Sequence, residues 1–470
     1  MSRRPPPPLR RAEPKAAARF WLAALALTGA CLCACSGCAP NLPPFDPALV
    51  GGWVAPGFEP VRDEFIRNFE QRGELGAACA VYLDERKVVD LFGGYRDAET
   101  RAPWREDTLV CVFSSTKGMS ATALAVAHSR GLFELDAPVA TYWPEFAQQG
   151  KESITVRQLL AHQAGLGPLD TKLDPEALAD HDRLAEILAR QKPAWRPGQR
   201  HGYHAITLGL YEGALLRRID PLGRTLGRFF ADEVARPLGA EFYIGLPERV
   251  PDTRLAHVLG YEPIELLFRA NTFPPAMVGA LLCPWSITAR TMAGLKARTA
   301  AEIATRPYCR VEFPSAGGVC TARGLARLYA ELAAGGRRLR LRADTLRELW
   351  AVPPPPPGGA RDLVLHIDSA YTLGFSKRGA AFPQAADERC FGTPGAGGSL
   401  GLADPESGLG FAYVMNRMGT HLIDDPRERA LREAVYRCLS ARSVRAATER
   451  DAALPRVLGR LYDPSHSHGG

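Results

Sequence analysis

The chain has 470 residues, of which 46% are hydrophobic and 23% charged. These fractions are those of an ordinary globular protein, so they exclude wholesale disorder, a collagen, a coiled coil and a polytopic membrane protein. The length suggests two or three domains, or one large fold with an inserted lobe. The formal net charge is +7, but most of it lies in the first 34 residues. No run of Lys and Arg with interleaved aromatic residues follows, so no nucleic-acid partner is expected.

The first segment, residues 1–34, has the order of a secretory signal. Basic residues precede an uncharged apolar stretch that begins at Phe20, and small residues and cysteines follow it. This stretch is shorter than the ~20 residues that span a bilayer. Leu32–Cys35 is similar to a bacterial lipobox, which predicts a lipid anchor on Cys35 and a location in the bacterial cell envelope, with the membrane a partner only through that anchor. The alternatives are a signal peptide cut near Ala39, giving a periplasmic or secreted protein, and an uncleaved N-terminal anchor.

Two hairpins and a helix are predicted from residue patterns near the ends of the chain. After a Pro-rich linker, residues 35–57, apolar residues at helical spacing predict a helix over Glu59–Arg72. The runs Ala77–Leu83 and Lys87–Phe92 are rich in β-forming residues and enclose a polar turn, which predicts a hairpin. The segment 398–415 has the same pattern around a turn with proline at its second position, so it predicts a second hairpin.

The order of these elements predicts an α+β fold. Asp425 and Pro426 mark the start of a C-terminal amphipathic helix. Strands near both ends with helices between them predict an antiparallel sheet built from both termini and flanked by helices. The predicted organisation is a sheet domain of residues 58–154 and 305–447, a mostly helical lobe over residues 155–304, and a flexible tail over residues 448–470.

Ser114 and Lys117 form the only S-x-x-K sequence in the chain, and they open an apolar-periodic helix. Residues three apart at a helix start project from one face, so the amine can reach the hydroxyl. The positive end of the helix also favours an anionic intermediate. The pair therefore predicts a nucleophile with its base, and the alternative is that Ser114 is an N-cap residue.

Two further features support a catalytic interpretation. Tyr203 lies in a loop bounded by glycine and proline before a predicted helix, where its phenol can be held close to a catalytic amine. Residues 391–398 are a run of small residues that leads into a strand, which lets a substrate approach the strand edge and its N–H groups.

Together, the S-x-x-K sequence, the P-G-x-x-x-x-Y loop that ends at Tyr203 and a T-P-G strand entry resemble the serine β-lactamase and penicillin-binding-protein superfamily. The nearest likeness is to its class C-like esterase branch. Leu159–Leu166 is similar to that family's L-L-x-H-x-x-G-L segment, and the resemblance spans residues 58–439. It implies a β-lactamase/transpeptidase-like fold.

The resemblance also implies site residues. Ser114 would be the acylated nucleophile, and Lys117 and Tyr203 would share the proton transfers. The backbone N–H groups of Ser114 and Ala396 would form the oxyanion hole. No metal or cofactor is implied, and the expected partner is a small acyl substrate.

Two departures from the family pattern bear on the substrate. Where penicillin-recognising members have Tyr-x-Asn, this chain has Tyr203–Ala205, and where they have Lys-Thr-Gly, it has Thr393–Gly395. The amide that grips an acyl-amide substrate and the cation for its carboxylate are both missing. Charge-assisted contacts contribute ~1.5–3 kcal/mol, so efficient β-lactam hydrolysis is not expected. The residues expected at the substrate site are His204, Ala205, Thr393 and Gly395.

Some residues suggest chemistry that their surroundings do not favour. Ser399 stands in a G-x-S-x-G sequence, the nucleophile elbow of α/β-hydrolases, but that motif needs a following helix and a strand is predicted here. His162 is expected to be a hydrogen-bonded structural residue at a helix end. His201 and His204 flank Tyr203 and are expected to line the mouth of the site.

Three functions remain open from the sequence. The first is a serine hydrolase that cleaves carboxylic esters or related small acyl compounds. The second is a D-amino-acid peptidase or weak β-lactamase that acts on peptidoglycan-like amides. The third is a non-catalytic envelope binding protein with the same fold.

Overall fold

The computed structural model describes residues 42–260 and 272–442. From Phe45 onward the described residues belong to one compact unit. The predicted signal over residues 1–34, the lipidation site at Cys35 and the tail over residues 448–470 lie outside the described residues.

Most strands belong to one large antiparallel sheet. In chain order the strands of the described residues are β1 (Gly51–Val54), β2 (Gly76–Leu83), β3 (Arg86–Gly94), β4 (Val110–Cys111), β5 (Phe242–Tyr243), β6 (Val319–Cys320), β7 (Tyr371–Thr372), β8 (Phe375–Lys377), β9 (Phe391–Pro394), β10 (Leu400–Asp404) and β11 (Leu409–Met415). Eight of them form a sheet in the order β1-β3-β2-β11-β10-β9-β8-β7. Strands β2 and β11 come from opposite ends of the chain and pair with Val81 opposite Phe411. The prediction of an antiparallel sheet built from both termini is confirmed.

Helices cover both faces of this sheet and fill the segment between its two halves. They are α1 (Glu59–Gln71), α2 (Thr116–Ser129), α3 (Val139–Tyr142), α4 (Val156–Leu160), α5 (Pro175–Ala179), α6 (His181–Arg190), α7 (Leu208–Ile219), α8 (Leu226–Phe230), α9 (Arg236–Leu238), α10 (Pro275–Leu281), α11 (Ile287–Met292), α12 (Ala300–Ile303), α13 (Arg306–Arg310), α14 (Ala322–Ala333) and α15 (Ala343–Trp350), and α16 over residues 426–442. Short 3-10 turns include Phe113–Ser115 and Ala396–Gly398. The predicted helices at 59–72 and after Pro426, and both predicted hairpins, are present.

One predicted linker contains a strand. β1 lies within residues 35–57 and pairs with β3. Gly52 has φ +92°, and a Cβ at that position would stand 1.9 Å from the carbonyl oxygen of Asp90. Glycine at this position lets the backbones of β1 and β3 approach each other. Because glycine also has a low strand propensity, the residue pattern did not indicate a strand here.

The sheet separates two hydrophobic layers. Along β2, Cys79 and Val81 face one layer, which they share with Phe65 of α1 and Leu431 of α16. The alternate residue Ala80 faces the other layer, which contains α2 and α14. This alternation is the period of two that a strand buried on both faces requires.

Small residues let α14 approach the sheet closely. A Cβ on Gly410 would stand 2.4 Å from the backbone nitrogen of Ala330, and one on Gly401 would stand 2.0 Å from the ring of Tyr329. Any larger side chain at these strand positions would push the helix away. The glycine and alanine content of β10 and β11 therefore reflects packing.

A second, three-stranded sheet has the order β4-β6-β5. Its central strand, β6, follows the segment 155–304. It pairs with β4, which lies shortly before Ser114, and with β5, which lies within that segment. Helices α4 to α12 also lie in 155–304. The predicted domain boundaries stay a prediction.

Candidate active site

Ser114 lies at the start of a completely buried helix. It occupies the 3-10 turn Phe113–Ser115, immediately before α2, and all residues of α2 are buried. Phe113 has φ +46°, a conformation that is uncommon for a bulky residue and that clusters at functional sites. Hydrogen bonds hold the turn in place, including that from N–H of Val112 to the carbonyl oxygen of Gly318 at 2.9 Å.

Lys117 brings a buried amine to the Ser114 hydroxyl. Its Nζ lies 3.2 Å from Oγ of Ser114 and donates to the carbonyl oxygens of Ala205 at 2.7 Å and Ser315 at 2.8 Å. The side chain is 0% exposed. Burial disfavours the ammonium and lowers the pKa of Lys117 to about 7, although the charge of Glu212 acts in the opposite direction. The amine can therefore exchange a proton near neutral pH.

Tyr203 completes the group that the sequence predicted. Nζ of Lys117 stands 5.0 Å from the centroid of the Tyr203 ring. Burial raises the pKa of the Tyr203 phenol to about 12, and a hydrogen bond with Ser114 partly offsets this. The structure thus brings together Ser114, Lys117 and Tyr203 from α2 and the loop before α7.

Two histidines, His162 and His204, form hydrogen bonds that hold the loop containing Tyr203. The backbone N–H of His204 donates to Nδ1 of His162 at 2.9 Å, and Nε2 of His204 accepts from N–H of Leu166 at 2.9 Å. Nδ1 of His204 therefore carries its proton, and it lies 3.2 Å from Nδ1 of His162. Burial lowers the pKa of His204 to about 3, so the pair is neutral. His162 is the structural residue that the sequence predicted.

The expectation that His201 and His204 line the mouth of the site is wrong in this structure. His204 is 0% exposed and His201 is 1% exposed. Nδ1 of His201 lies 3.1 Å from the carbonyl oxygen of Ala161. Both side chains point into the protein because they hydrogen-bond the Leu159–Leu166 segment.

Asp362 and Tyr371 hold the same loop from another side, and sequence reasoning missed them. The Asp362 carboxylate accepts from N–H of Val364 and Leu365 and from the Tyr371 hydroxyl, and it accepts from the backbone N–H of Tyr203. The Tyr371 ring stacks on that of Tyr203 at 6.2 Å. No pattern in the sequence marks Asp362, since it follows a Pro-rich loop far from the motifs.

The C-terminal end of β9 lies against the turn that carries Ser114. Oγ of Ser115 donates to the carbonyl oxygen of Thr393 at 3.0 Å, and Oγ of Ser399 donates to the carbonyl oxygen of Val112 at 2.9 Å. A Cβ on Gly395 would stand 2.4 Å from that same oxygen. Glycine at 395 is therefore needed for the close approach, and Ala396, the next residue, is exposed.

Two of the expected substrate-site side chains do not lie in a position to touch a substrate. Thr393 is 3% exposed and its hydroxyl accepts from the Tyr329 hydroxyl at 3.2 Å, so it faces the core between α2 and α14. Ala205 is 8% exposed and contributes its carbonyl to Lys117. Strand alternation turns Thr393 inward, which the T-P-G sequence alone does not reveal.

Ser399 has the structural role that its context predicted. It is 2% exposed and directly precedes β10. Its hydroxyl lies 3.3 Å from that of Ser115, so it joins the β9–β10 turn to the Ser114 turn.

Two negative observations concern the described part of the chain. Within residues 42–260 and 272–442, no three His, Cys, Asp or Glu side chains are grouped so that they could bind a metal ion. In the same ranges, no helix has both the length and the apolar character needed to cross a membrane.

Comparison with known proteins adds four findings. A model of the Beta-lactamase family matches residues 63–436. The chain is 34% identical over 375 residues to Esterase/beta-lactamase LipL of Mycobacterium tuberculosis (strain ATCC 25618 / H37Rv), covering 80% of this chain and 84% of that protein. The crystal structure of a family VIII carboxylesterase is 36% identical, with a TM-score of 0.72 over 83% of this chain and 99% of the other. A penicillin-binding protein homolog from Caulobacter crescentus is 35% identical, with a TM-score of 0.70 over the same shares, 83% and 99%.

Proposed function

Because this chain belongs to the Beta-lactamase family and is a serine hydrolase, we propose that it cleaves small carboxylic esters through an acyl-enzyme on Ser114. The observation that carries the proposal is the 3.2 Å contact between Nζ of Lys117 and Oγ of Ser114. With a pKa of about 7, a sizeable fraction of the Lys117 amine is neutral at neutral pH and can accept the hydroxyl proton.

Acylation begins when Lys117 accepts the proton of Ser114 while Oγ attacks the ester carbonyl carbon. The carbonyl oxygen becomes an oxyanion, which accepts hydrogen bonds from the N–H groups of Ser114 and Ala396. The bond to the alcohol oxygen then breaks. The alcohol leaves with a proton from Tyr203, and Lys117 returns a proton to Tyr203. The products are the free alcohol and an ester of Ser114.

Deacylation uses the same groups in reverse. A water molecule attacks the acyl carbon and gives its proton to the Lys117–Tyr203 pair, and Oγ of Ser114 leaves and takes a proton back. The pKa of Tyr203 is raised to about 12, so its phenol is protonated at neutral pH and suits the role of proton donor.

The substrate class follows from what the site lacks. Ala205 has no side-chain amide, and Thr393 is buried against Tyr329, so neither residue grips an amide or a carboxylate. The printed names of two relatives, an esterase/beta-lactamase and a family VIII carboxylesterase, support ester cleavage.

β-Lactams and peptidoglycan-like amides are the second candidate substrates. The name of the LipL relative includes beta-lactamase, and one structural relative is a penicillin-binding protein homolog. The non-catalytic alternative is not retained, because the chain is a serine hydrolase.

The test combines labelling and turnover. A fluorophosphonate probe that reacts with activated serines should label the peptide that contains Ser114, and Ser114→Ala should abolish both labelling and p-nitrophenyl acetate turnover. p-Nitrophenyl acetate should be cleaved far faster than nitrocefin. A label on the Ser399 peptide, or full turnover by Ser114→Ala, would contradict the mechanism; equal rates on the two substrates would contradict the substrate class.

We also propose that the protein is anchored in the bacterial envelope by a lipid on Cys35, on the support of the signal-like order of residues 1–34. The full-length protein should fractionate with membranes, and Cys35→Ser should release it or block its processing. A mature N-terminus after Cys38 without lipid mass would leave a periplasmic or secreted protein.

A further inference from the structure

Glu212 is a buried carboxyl group without a hydrogen-bond partner. It lies on α7 and is 0% exposed. Neither Oε1 nor Oε2 has a hydrogen-bond partner among the described residues. Buried polar side chains are almost always hydrogen-bonded, and one without a partner destabilises the fold, most of all when it is charged. The stability of the fold does not explain this residue.

The neighbours of Glu212 place it beside the Ser114 site. Helix α7 packs against α2. A Cβ on Gly374 would stand 3.0 Å from Cβ of Ala121 and 3.1 Å from Oε1 of Glu212, so the carboxyl group and Ala121 flank the same point. Ala121 lies one helical turn after Lys117 on the same face of α2. Glu212 is therefore close to the lysine face of that helix.

Among the described residues, Glu212 is the one group whose charge shifts the pKa of Lys117, and Lys117 is the one group whose charge shifts the pKa of Glu212. The other titratable groups that face Lys117 are His162, His204 and Tyr203, from the segment after α4 and the loop before α7. Burial lowers the pKa of both histidines and raises the pKa of Tyr203, so all three are neutral. Each member of the pair has the other as its charged neighbour.

The hydrogen bonds indicate which member holds a shared proton. An ammonium on Lys117 can donate to Ser114, Ala205 and Ser315, all within 3.2 Å. A protonated Glu212 would have an O–H with no acceptor among the described residues. When the pair holds one proton, that proton therefore belongs on Lys117, opposite a Glu212 carboxylate.

We propose that Glu212 is the buried counter-charge of Lys117 and sets the pH at which the lysine amine becomes free to act as a base. Glu212 does not touch the substrate. It is a positioning residue that acts through Lys117, because its carboxylate favours the proton on the lysine amine. The proposal rests on the proposed role of Lys117 in ester cleavage. Replacing the carboxylate by a neutral group removes the attraction that retains the proton, so the amine should become free at lower pH.

The first experiment compares pH profiles of kcat/KM for p-nitrophenyl acetate. In Glu212→Gln, we expect the midpoint of the acidic limb to move down by about one pH unit or more. Glu212→Asp keeps the charge and should remain close to the wild-type midpoint. Glu212→Met removes both charge and polarity and is the second neutral variant, to be used if Glu212→Gln folds poorly. It should also move the midpoint of the acidic limb to lower pH. An unchanged midpoint in both neutral variants would overturn the proposal.

Glu331→Gln is the matched control. Glu331 is also buried and lies on α14, where it accepts from N–H of Arg338 and Leu339. This substitution removes a buried carboxylate without changing the surroundings of Lys117. It should lower stability and leave the acidic limb in place. A shift as large as that of Glu212→Gln would show that loss of any buried carboxylate moves the profile.

A second experiment does not depend on turnover. Burial raises the pKa of Glu212 from 4.5 to about 8, and Lys117 stands at about 7. As a coupled pair, the native groups bind more protons than the unfolded chain between 4.5 and about 7. The pair's contribution to stability therefore falls as pH rises through this window.

The free energy of urea unfolding of Ser114→Ala, minus that of Ser114→Ala/Glu212→Gln, should fall between pH 4.5 and pH 7, because every other titrating group is common to the two variants. If Ser114→Ala retains turnover, the proposed function fails while this test still reports on the pair. If Ser114→Ala is inactive but neither the stability window nor the acidic limb responds to Glu212, the counter-charge proposal alone fails.

Discussion

Two buried lysines in this protein have similar surroundings and, in the proposed mechanism, different roles. Lys151 is 0% exposed, as is Lys117, and burial lowers its pKa to about 8. Its Nζ stands 5.2 Å from the centroid of the Phe146 ring, much as that of Lys117 stands over Tyr203. Among the residues that the structure describes, Lys151 donates only to backbone carbonyls, those of Gln148, Ala189 and Gln191.

The difference between them lies in one acceptor. Lys117 donates to two carbonyls and to the hydroxyl of Ser114, which can give its proton back. Burial makes an amine ready to lose its proton, but only a reactive neighbour makes it a base. A lowered pKa alone therefore does not identify a catalytic lysine.

The largest expected effect separates the two lysines directly. Lys117→Met removes the amine from Ser114 and should lower kcat/KM for p-nitrophenyl acetate by about 10³-fold or more, because residues of one proton-transfer unit fail together. Lys151→Met should lower the melting temperature and leave kcat/KM of the folded protein near wild type. Comparable losses of activity in both variants would remove the distinction.

Tyr203→Phe makes the surroundings of Lys117 similar to those of Lys151. The ring stays under the amine, but the hydroxyl that hydrogen-bonds Ser114 is lost. We expect a decrease of about 10²-fold in kcat, the usual scale for a general acid or base, with little change in melting temperature. Phe146→Tyr is the reciprocal control and should not create activity in Ser114→Ala.

The pH dependence provides a smaller and graded effect. The pKa of Lys117 is about 7, and only the neutral amine accepts the Ser114 proton. Below this value kcat/KM should fall by about tenfold per pH unit. A steady profile down to pH 5, measured where the protein remains folded, would show that no group with this pKa controls the reaction.

The smallest effect on catalysis is expected at a position where the family has a lysine. Thr393→Lys should not improve the capture of carboxylate-bearing esters, because residue 393 is buried and faces Tyr329. Burying a further amine without carbonyl acceptors should instead lower the melting temperature. A lower KM for carboxylate-bearing esters alone would show that the new side chain reaches the substrate.

Features that depend on a local residue pattern could be predicted from the sequence. Alternating residues predicted the β2–β3 and β10–β11 hairpins, and helical spacing placed Ser114 and Lys117 on one face. The Tyr203 loop reached the site as the family resemblance implied. These features depend on residues a few positions apart.

The features that the sequence did not reveal depend on contacts between segments that are far apart in the chain. The burial of His204 follows from His162, the inward side chain of Thr393 from Tyr329, and the orphaned carboxyl group of Glu212 from α2. A single sequence contains no signal for such pairs. Likewise, β1 became visible only through its pairing with β3.

The pairing of β2 with β11 has a consequence for how the protein folds. These central strands stand at opposite ends of the described chain, so the loop that must close between them is long, and long-range pairings slow folding. The sheet cannot complete its centre until β11 has left the ribosome. A chain truncated before Leu409 should therefore remain unfolded. The nascent protein should likewise remain unfolded, and able to pass through a narrow pore, until synthesis is nearly finished.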